Sequence, residues 1–129
     1  MPTLRLLFAA LCLSLCAQSA QAQDDLRASL DKDDVAAFQK AVAKTKLPSD
    51  AQMDSALNYG AFKIAKHVYS THKADLNPDN LLDGSGLFHS VPCYHHSNVA
   101  AFELLALLIK DSKGLTNDAE WYRSAICRF

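Results

Sequence analysis

This sequence has no basic stripe, no apolar run long enough to span a membrane and no alternating strand-like segment of useful length. Each absence removes a class of fold or function. The 129 residues hold 13 Lys and Arg against 14 Asp and Glu. A nucleic-acid surface must cluster cations against phosphates. The one local cluster, Lys63, Lys66 and Lys73, reads as a solvated helix face. The longest apolar run, Leu6 to Ala17, is twelve residues, short of the roughly 20 a spanning helix needs.

That run has a different meaning. A short basic start, Met1 to Arg5, leads into "LLFAALCLSLCA", and Ala20-Gln21-Ala22 offers small residues at the two positions a signal peptidase reads. Residues 1–22 are therefore expected to be a secretory signal cut after Ala22, leaving one domain over residues 23–129. Lipidation at Cys16 is disfavoured, because Leu15 stands where a lipobox carries a small residue. Arg5 is the one charged residue of the leader, so the remaining chain carries 12 bases against 14 acids, a net −2. The expected location is periplasmic or secreted. Cys12 and Cys16 leave with the leader, and Cys93 and Cys127 remain. In an oxidising compartment they are expected to pair; otherwise they are buried thiols acting as small apolar residues.

The periodicity is helical throughout. Asp24 to Leu30 makes a brief amphipathic turn or two, and a polar corner, Lys32-Asp33-Asp34, leads into "VAAFQKAVAK" with Val35, Phe38, Ala41 and Val42 on one face. Pro48 ends that helix, and Ser49 with Gln52 reads as a capping box opening "AQMDSALNY". Gly60 breaks the pattern before "AFKIAKHVYST". Pro78 to Gly86 is the longest stretch expected to be non-helical, and "LFHSV" is a short apolar segment ended by Pro92. Ser97 or Asn98 caps "VAAFELLALLIK", which is apolar nearly all round and so is expected to be the central helix. Gly114 ends it, and Asn117 with Glu120 starts a last helix through Trp121 and Ala125.

Helices this short bury little alone but can stack in pairs. Aligning "LDKDDVAAFQKAV" (Leu30 to Val42) with "LNYGAFKIAKHVY" (Leu57 to Tyr69) matches Leu30 with Leu57, Asp33 with Gly60, Val35 with Phe62 and Ala41 with Val68. "SNVAAFELLALL" repeats the polar corner, and Val-Ala-Ala-Phe recurs at Val35–Phe38 and Val99–Phe102. On these residues the chain resembles the ankyrin-repeat family. "DGSGLFHSV" keeps Asp83, Gly84, an apolar Phe88 and His89 of that family's turn and first helix, and departs at Gly86, Leu87 and Val91. "VYSTHKADLN" keeps Ala74, Asp75 and Asn77 of its second-helix ending. The resemblance implies an all-α solenoid of about three and a half helix-turn-helix repeats, with "PCYHHSN" as a lengthened connection, and a hydrogen bond from His89 to loop backbone.

Candidate chemistry is sparse. His89, Cys93, His95 and His96 are of metal-ligand type, but half a tetrahedral set is missing, so no metal or cofactor is expected. Cys93 with His95 or His96 as base would be a thiol enzyme, but nothing supplies an oxyanion hole, and no catalytic residue is assigned. Asp31, Asp33 and Asp34 cap a helix more readily than they pair for catalysis. Gly84-Ser85-Gly86 lacks the Lys and the strand of a phosphate loop. Cys93 and Cys127 stand 34 residues apart, about one repeat, where an ideal solenoid spaces them at about 10 Å, beyond the roughly 7 Å a disulfide allows. The Pro92 kink and the inserted loop could close that gap.

The expectation is an exported, bacterial-type module that binds another protein, as an inhibitor or immunity protein of a periplasmic toxin or enzyme. An envelope scaffold or a stress-related metal binder is the alternative. Neither nucleic acid nor membrane insertion is expected. Partner contacts are assigned to Asp33, Asp34, Asn77, Asp79, Tyr94, His95, His96 and Trp121, on the loop tips and on the apolar C-terminal end, itself either a cap or a docking surface.

Overall fold

The computed structural model describes residues 20–83 and 86–113, the side chains of Phe88 and His89 excepted. Among the described residues the chain is entirely helical. The elements are α1 (residues 20–32), α2 (Val35–Thr45), α3 (Ser49–Asn58), α4 (Phe62–Thr71), α5 (Pro78–Asp83), α6 (Leu87–Tyr94) and α7 (Val99–Asp111). None is long and apolar enough to cross a membrane.

The first two helix pairs repeat in a strict 27-residue register. At the α1–α2 corner the Asp33 N–H donates to the Leu30 carbonyl (3.2 Å) and the Asp34 N–H to the Ser29 carbonyl (3.0 Å). At the α3–α4 corner the Gly60 N–H donates to Leu57 (3.1 Å) and the Ala61 N–H to Ala56 (2.8 Å). Both are Schellman closures, which need a left-handed residue after the helix. Gly60 supplies it at φ +66° and Asp33 at φ +52°. Asp is among the few residues with a side chain that enter this region readily. The sequence alignment of Asp33 with Gly60 is thus an equivalence of backbone conformation.

The corners differ in how they start the next helix. Asp34 caps α2 itself, its carboxylate accepting from the Ala37 N–H at 3.1 Å. The N-cap of α4 is Ala61, which has no side-chain acceptor. The need is met from 30 residues upstream: the Asp33 carboxylate accepts from the Lys63 N–H at 3.0 Å and the Ile64 N–H at 2.9 Å. These are the second and third helical N–H groups, the ones an N-cap side chain ordinarily takes. One corner therefore carries two acids with separate tasks, one for its own helix and one for the next pair.

Packing follows from the corners. α2 lies against α4 and α4 against α7, a row of second helices, while α3 pairs with α4 and both α5 and α6 pack on α7. The centre of the row is the most buried element: Phe62, Ile64, Ala65, Val68 and Tyr69 of α4 are all within the core. Phe38 of α2, Met53 and Ala56 of α3, Val91 of α6 and Leu104 and Leu108 of α7 complete it. Each large side chain removed from water this way contributes about 1.5–3 kcal/mol.

Five local expectations are corrected. Residues 20–32 are a helix of more than three turns rather than a turn or two, and it runs across the expected processing point between Ala22 and Gln23. Pro78 to Asp83 is helical, because Asn77 caps it through Oδ1 to the Asp79 N–H (3.0 Å) and Leu81 and Leu82 are buried. Pro92 does not end the next helix: α6 continues to Tyr94, because Leu87 and Val91 are buried and one missing N–H is outweighed by that packing. The connection to α7 is consequently short, residues 95–98 rather than "PCYHHSN". Ser49 is not a cap, since α3 begins on it with Pro48 at the N-cap, and Gln52 donates instead to the Leu47 carbonyl at 2.7 Å. The cap of α7 is Asn98, which accepts from the Ala101 N–H at 3.2 Å.

The double role of the α1–α2 corner gives a test. Asp33→Gly keeps the left-handed backbone and deletes the carboxylate; urea unfolding should show a loss of about 1–3 kcal/mol. Asp33→Asn keeps the backbone and one acceptor and should lose less. If Asp33→Gly matches or exceeds the parent in stability, the corner matters only for its backbone angle.

Candidate functional site

The three helix corners of the described chain lie along one edge. Asp33 joins the first corner to the start of α4, as above. The second and third meet through an aromatic contact: the His95 ring stands edge-on to Phe62, with centroids 4.7 Å apart and planes at 63°. Beside this contact a groove of about 400 Å³ opens, lined by Leu57, Phe62 and Leu87 with Asp54, Asn58, Ser90 and His95. Most of its open surface is polar, with Leu57, Phe62 and Leu87 behind it. Tyr59, next to Asn58, is 45% exposed, and Tyr94, next to His95, is 74% exposed. Exposed tyrosines offer large contact area with few rotatable bonds, a feature of protein interfaces.

The opposite edge is built differently. There the C-terminal ends of α4 and α7 are tied by Tyr69, whose hydroxyl donates to Asp111 Oδ2 at 2.7 Å. Lys73 Nζ lies 3.1 Å from the same oxygen and 5.7 Å from the Tyr69 ring centroid. Burial, and then the bond to Asp111, raises the Tyr69 hydroxyl well above its ordinary range. The bonds from Tyr69 and Lys73 hold the Asp111 carboxyl below the usual carboxylate range. An acid in the last turn of a helix opposes the macrodipole, and these two donors offset that cost. The Ser112 hydroxyl donates to Asp79 Oδ1 and so brings α5 to the same edge.

The residues assigned to partner contact divide accordingly. Asp33 and Asp34 are at the corner edge, but Asp33 is committed to α4 and Asp34 caps α2. Asn77 and Asp79 are at the far edge, where they cap α5 and bond Ser112. Tyr94 and His96 are exposed at the corner edge, and His95 is half-buried on Phe62. Trp121 lies outside the described residues, as do Cys127 and Gly84-Ser85. Two of the three expected loop tips therefore share a surface, and Asn77 to Asp83 is not part of it. Tyr59 and the groove residues Asp54 and Asn58 were missed. The signal in the sequence was a tyrosine directly before the corner glycine.

Among the described residues no three His, Cys, Asp or Glu side chains converge on a point that could hold a metal ion. The Cys93 sulfur is in a disulfide, and the other cysteines, Cys12, Cys16 and Cys127, all lie outside the described residues. Along the row, Gln39 of α2 and His67 of α4 share a hydrogen bond of 2.9 Å, and Lys66 of α4 pairs with Glu103 of α7. The lysines grouped in the sequence are thus partly spent on cross-helix pairs.

The far edge predicts a signed pH dependence. Because the folded state holds Asp111 low, its contribution is full above the unfolded carboxylate range, about pH 4, and is lost as pH falls through its own lowered range. Asp111→Asn should lower the thermal midpoint at pH 7, with the difference from the parent vanishing in acid. Tyr69 works in the other direction. Its folded range is raised, so stability falls as pH climbs past about 10, where the unfolded phenol ionises. Tyr69→Phe should remove that alkaline loss in a pH series of thermal melts.

No family model matches this chain, and no curated protein or solved structure is significantly similar to it.

Proposed function

We propose that this chain is an exported, ankyrin-like helical-repeat module that binds another protein along its corner edge, acting as an inhibitor or immunity protein of a periplasmic toxin or enzyme. The observation that carries the reading is the exposure of Tyr59 and Tyr94, whose chain neighbours Asn58 and His95 line the groove between α3, α4 and α6. These side chains are held by a corner geometry that repeats at 27 residues and by the His95–Phe62 contact. Stacked helix pairs present their corners in a line, so recognition residues are displayed on a rigid rail rather than on independent loops.

The ankyrin-like assignment is supported by the row α2–α4–α7 with first helices on one side of it, and by the corner sequence. It differs from the family in its link between the first two pairs. Only Lys46, Leu47 and Pro48 separate α2 from α3, which leaves no room for a projecting hairpin. Partner contact is thereby shifted to the opposite, corner side. Export rests on the leader-like residues 1–22.

The experiment is affinity capture from an envelope extract with the exported protein as bait, beside a Tyr59→Ser/Tyr94→Ser double variant. Both substituted residues are exposed, so the variant should fold like the parent by circular dichroism. The parent should enrich a defined partner at least tenfold over the variant, as expected when aromatic anchors dominate an interface. Equal recovery on both baits would remove the corner edge as the binding surface.

A further inference from the structure

The groove between α3, α4 and α6 gathers polar side chains that the fold itself leaves unused. Asp54 and Asn58 stand one turn apart on α3 and so share a side of that helix. Ser90 comes from α6, and His95 from the connection after it. Among the described residues, the side chains of Asp54, Asn58 and Ser90 enter no hydrogen bond or ion pair. Asp33, Asp34, Asp79 and Asp111 differ, each being engaged by a neighbouring helix or by its own. We propose that this groove is a socket for one arginine side chain of the partner protein, with Asp54 as its counter-ion. The inference deepens the partner-binding reading and rests on it for the source of the cation.

The lining selects charge first. Asp54 is its single acid, and among the described residues no Lys or Arg joins it there. An anion would meet like charge; a cation meets a carboxylate with no internal partner. The lining then selects shape. Asn58 and Ser90 each add an acceptor oxygen beside the carboxylate. A guanidinium presents five N–H donors in one plane, whereas an ammonium is a compact, strongly hydrated point charge. Phe62 and His95, whose ring centroids are 4.7 Å apart, bring aromatic surface on which a guanidinium stacks. Leu57 and Leu87 stand behind for the methylene stem, and a groove of about 400 Å³ admits stem and head together. Asp54 is exposed, and one exposed ion pair is weak. The socket therefore sets which side chain enters, and the remaining interface supplies most of the affinity.

The probe is the blocked tripeptide acetyl-Gly-Arg-Gly-amide, titrated into the isotopically labelled protein with backbone amide shifts as the readout. Amides of Asp54, Asn58, Phe62, Ser90 and His95 should move saturably, with a dissociation constant on the order of 1–10 mM. The lysine tripeptide should bind roughly threefold more weakly. The citrulline tripeptide keeps the shape but not the charge, and should bind roughly tenfold more weakly. Asp54→Asn should lose roughly tenfold of the arginine binding while amides away from the groove keep their parent positions. Citrulline binding as well as arginine, Asp54→Asn matching the parent, or shifts centred on other acids would each overturn the socket. Free L-arginine binding more tightly than the tripeptide would also overturn it, assigning the groove to an amino acid in solution. The titration needs no partner, so the two readings fail separately. A captured partner recovered as fully on Asp54→Asn as on the parent would sink the socket and leave the corner edge standing. Tripeptide binding as described, with nothing enriched in the capture, would sink the partner reading and leave the cation site standing.

Discussion

The hydrogen bonds of the Asp33 carboxylate to the Lys63 and Ile64 amides are the constraint on which the rest of the arrangement depends. Without them the second pair begins on Ala61, a residue that cannot cap, and two N–H groups of the most buried helix are left without an acceptor. With them, the first pair fixes both where α4 starts and how far it lies from α2. That position carries Phe62 to His95 and Tyr69 to Asp111, so the two edges of α7 are set from a corner more than 60 residues upstream. The link is polar and directional, which is why it specifies register where apolar contact alone would allow the helices to slide.

Much of this was legible in the residues. Helical periodicity, the corners at Asp33-Asp34 and Gly60, and the 27-residue match are local properties, and the matching hydrogen bonds follow the same offsets. What was not legible was which of two adjacent acids would serve its own helix. Asp33 and Asp34 are chemically the same, and the difference lies in φ, +52° for Asp33 against −95° for Asp34. The left-handed turn aims the first carboxylate away from α2 and toward α4. Assigning both acids to a partner reflected their polarity, whereas one of them already has its partner within the fold.

The errors around Pro78 and Pro92 share a cause. Proline and asparagine at these positions raise the local cost of helix, and a pattern reading counts only that local cost. Leu81, Leu82, Leu87 and Val91 are each nearly inaccessible to water, and burying four such side chains contributes several kcal/mol. One missing hydrogen bond at Pro92 costs about 3 kcal/mol at most in an interior position, and less near the end of a short helix. Tertiary burial therefore decides these segments, and it depends on α7, which follows them in the chain.

The two edges of the row are chemically unlike, and that asymmetry bears on function. At the far edge the charges are consumed internally: Asp111 by Tyr69 and Lys73, Asp79 by Ser112. Around the groove, Tyr59 and Tyr94 are exposed and the lining holds a single acid, Asp54, while Asp31, Lys32 and Asp34 are exposed at the first corner. If the proposed partner docks at this groove, the groove gains little from long-range steering and much from close contact, so affinity there would reside in dissociation rate rather than encounter rate. Slow dissociation of such a partner would in turn require that the two tyrosines keep a fixed separation. The corners that hold them are joined by Phe62 and His95, and α4, which bears Phe62, is positioned by Asp33. Under the proposed binding role, Asp33 therefore acts indirectly, by holding the start of α4 and with it the corner that bears Tyr59.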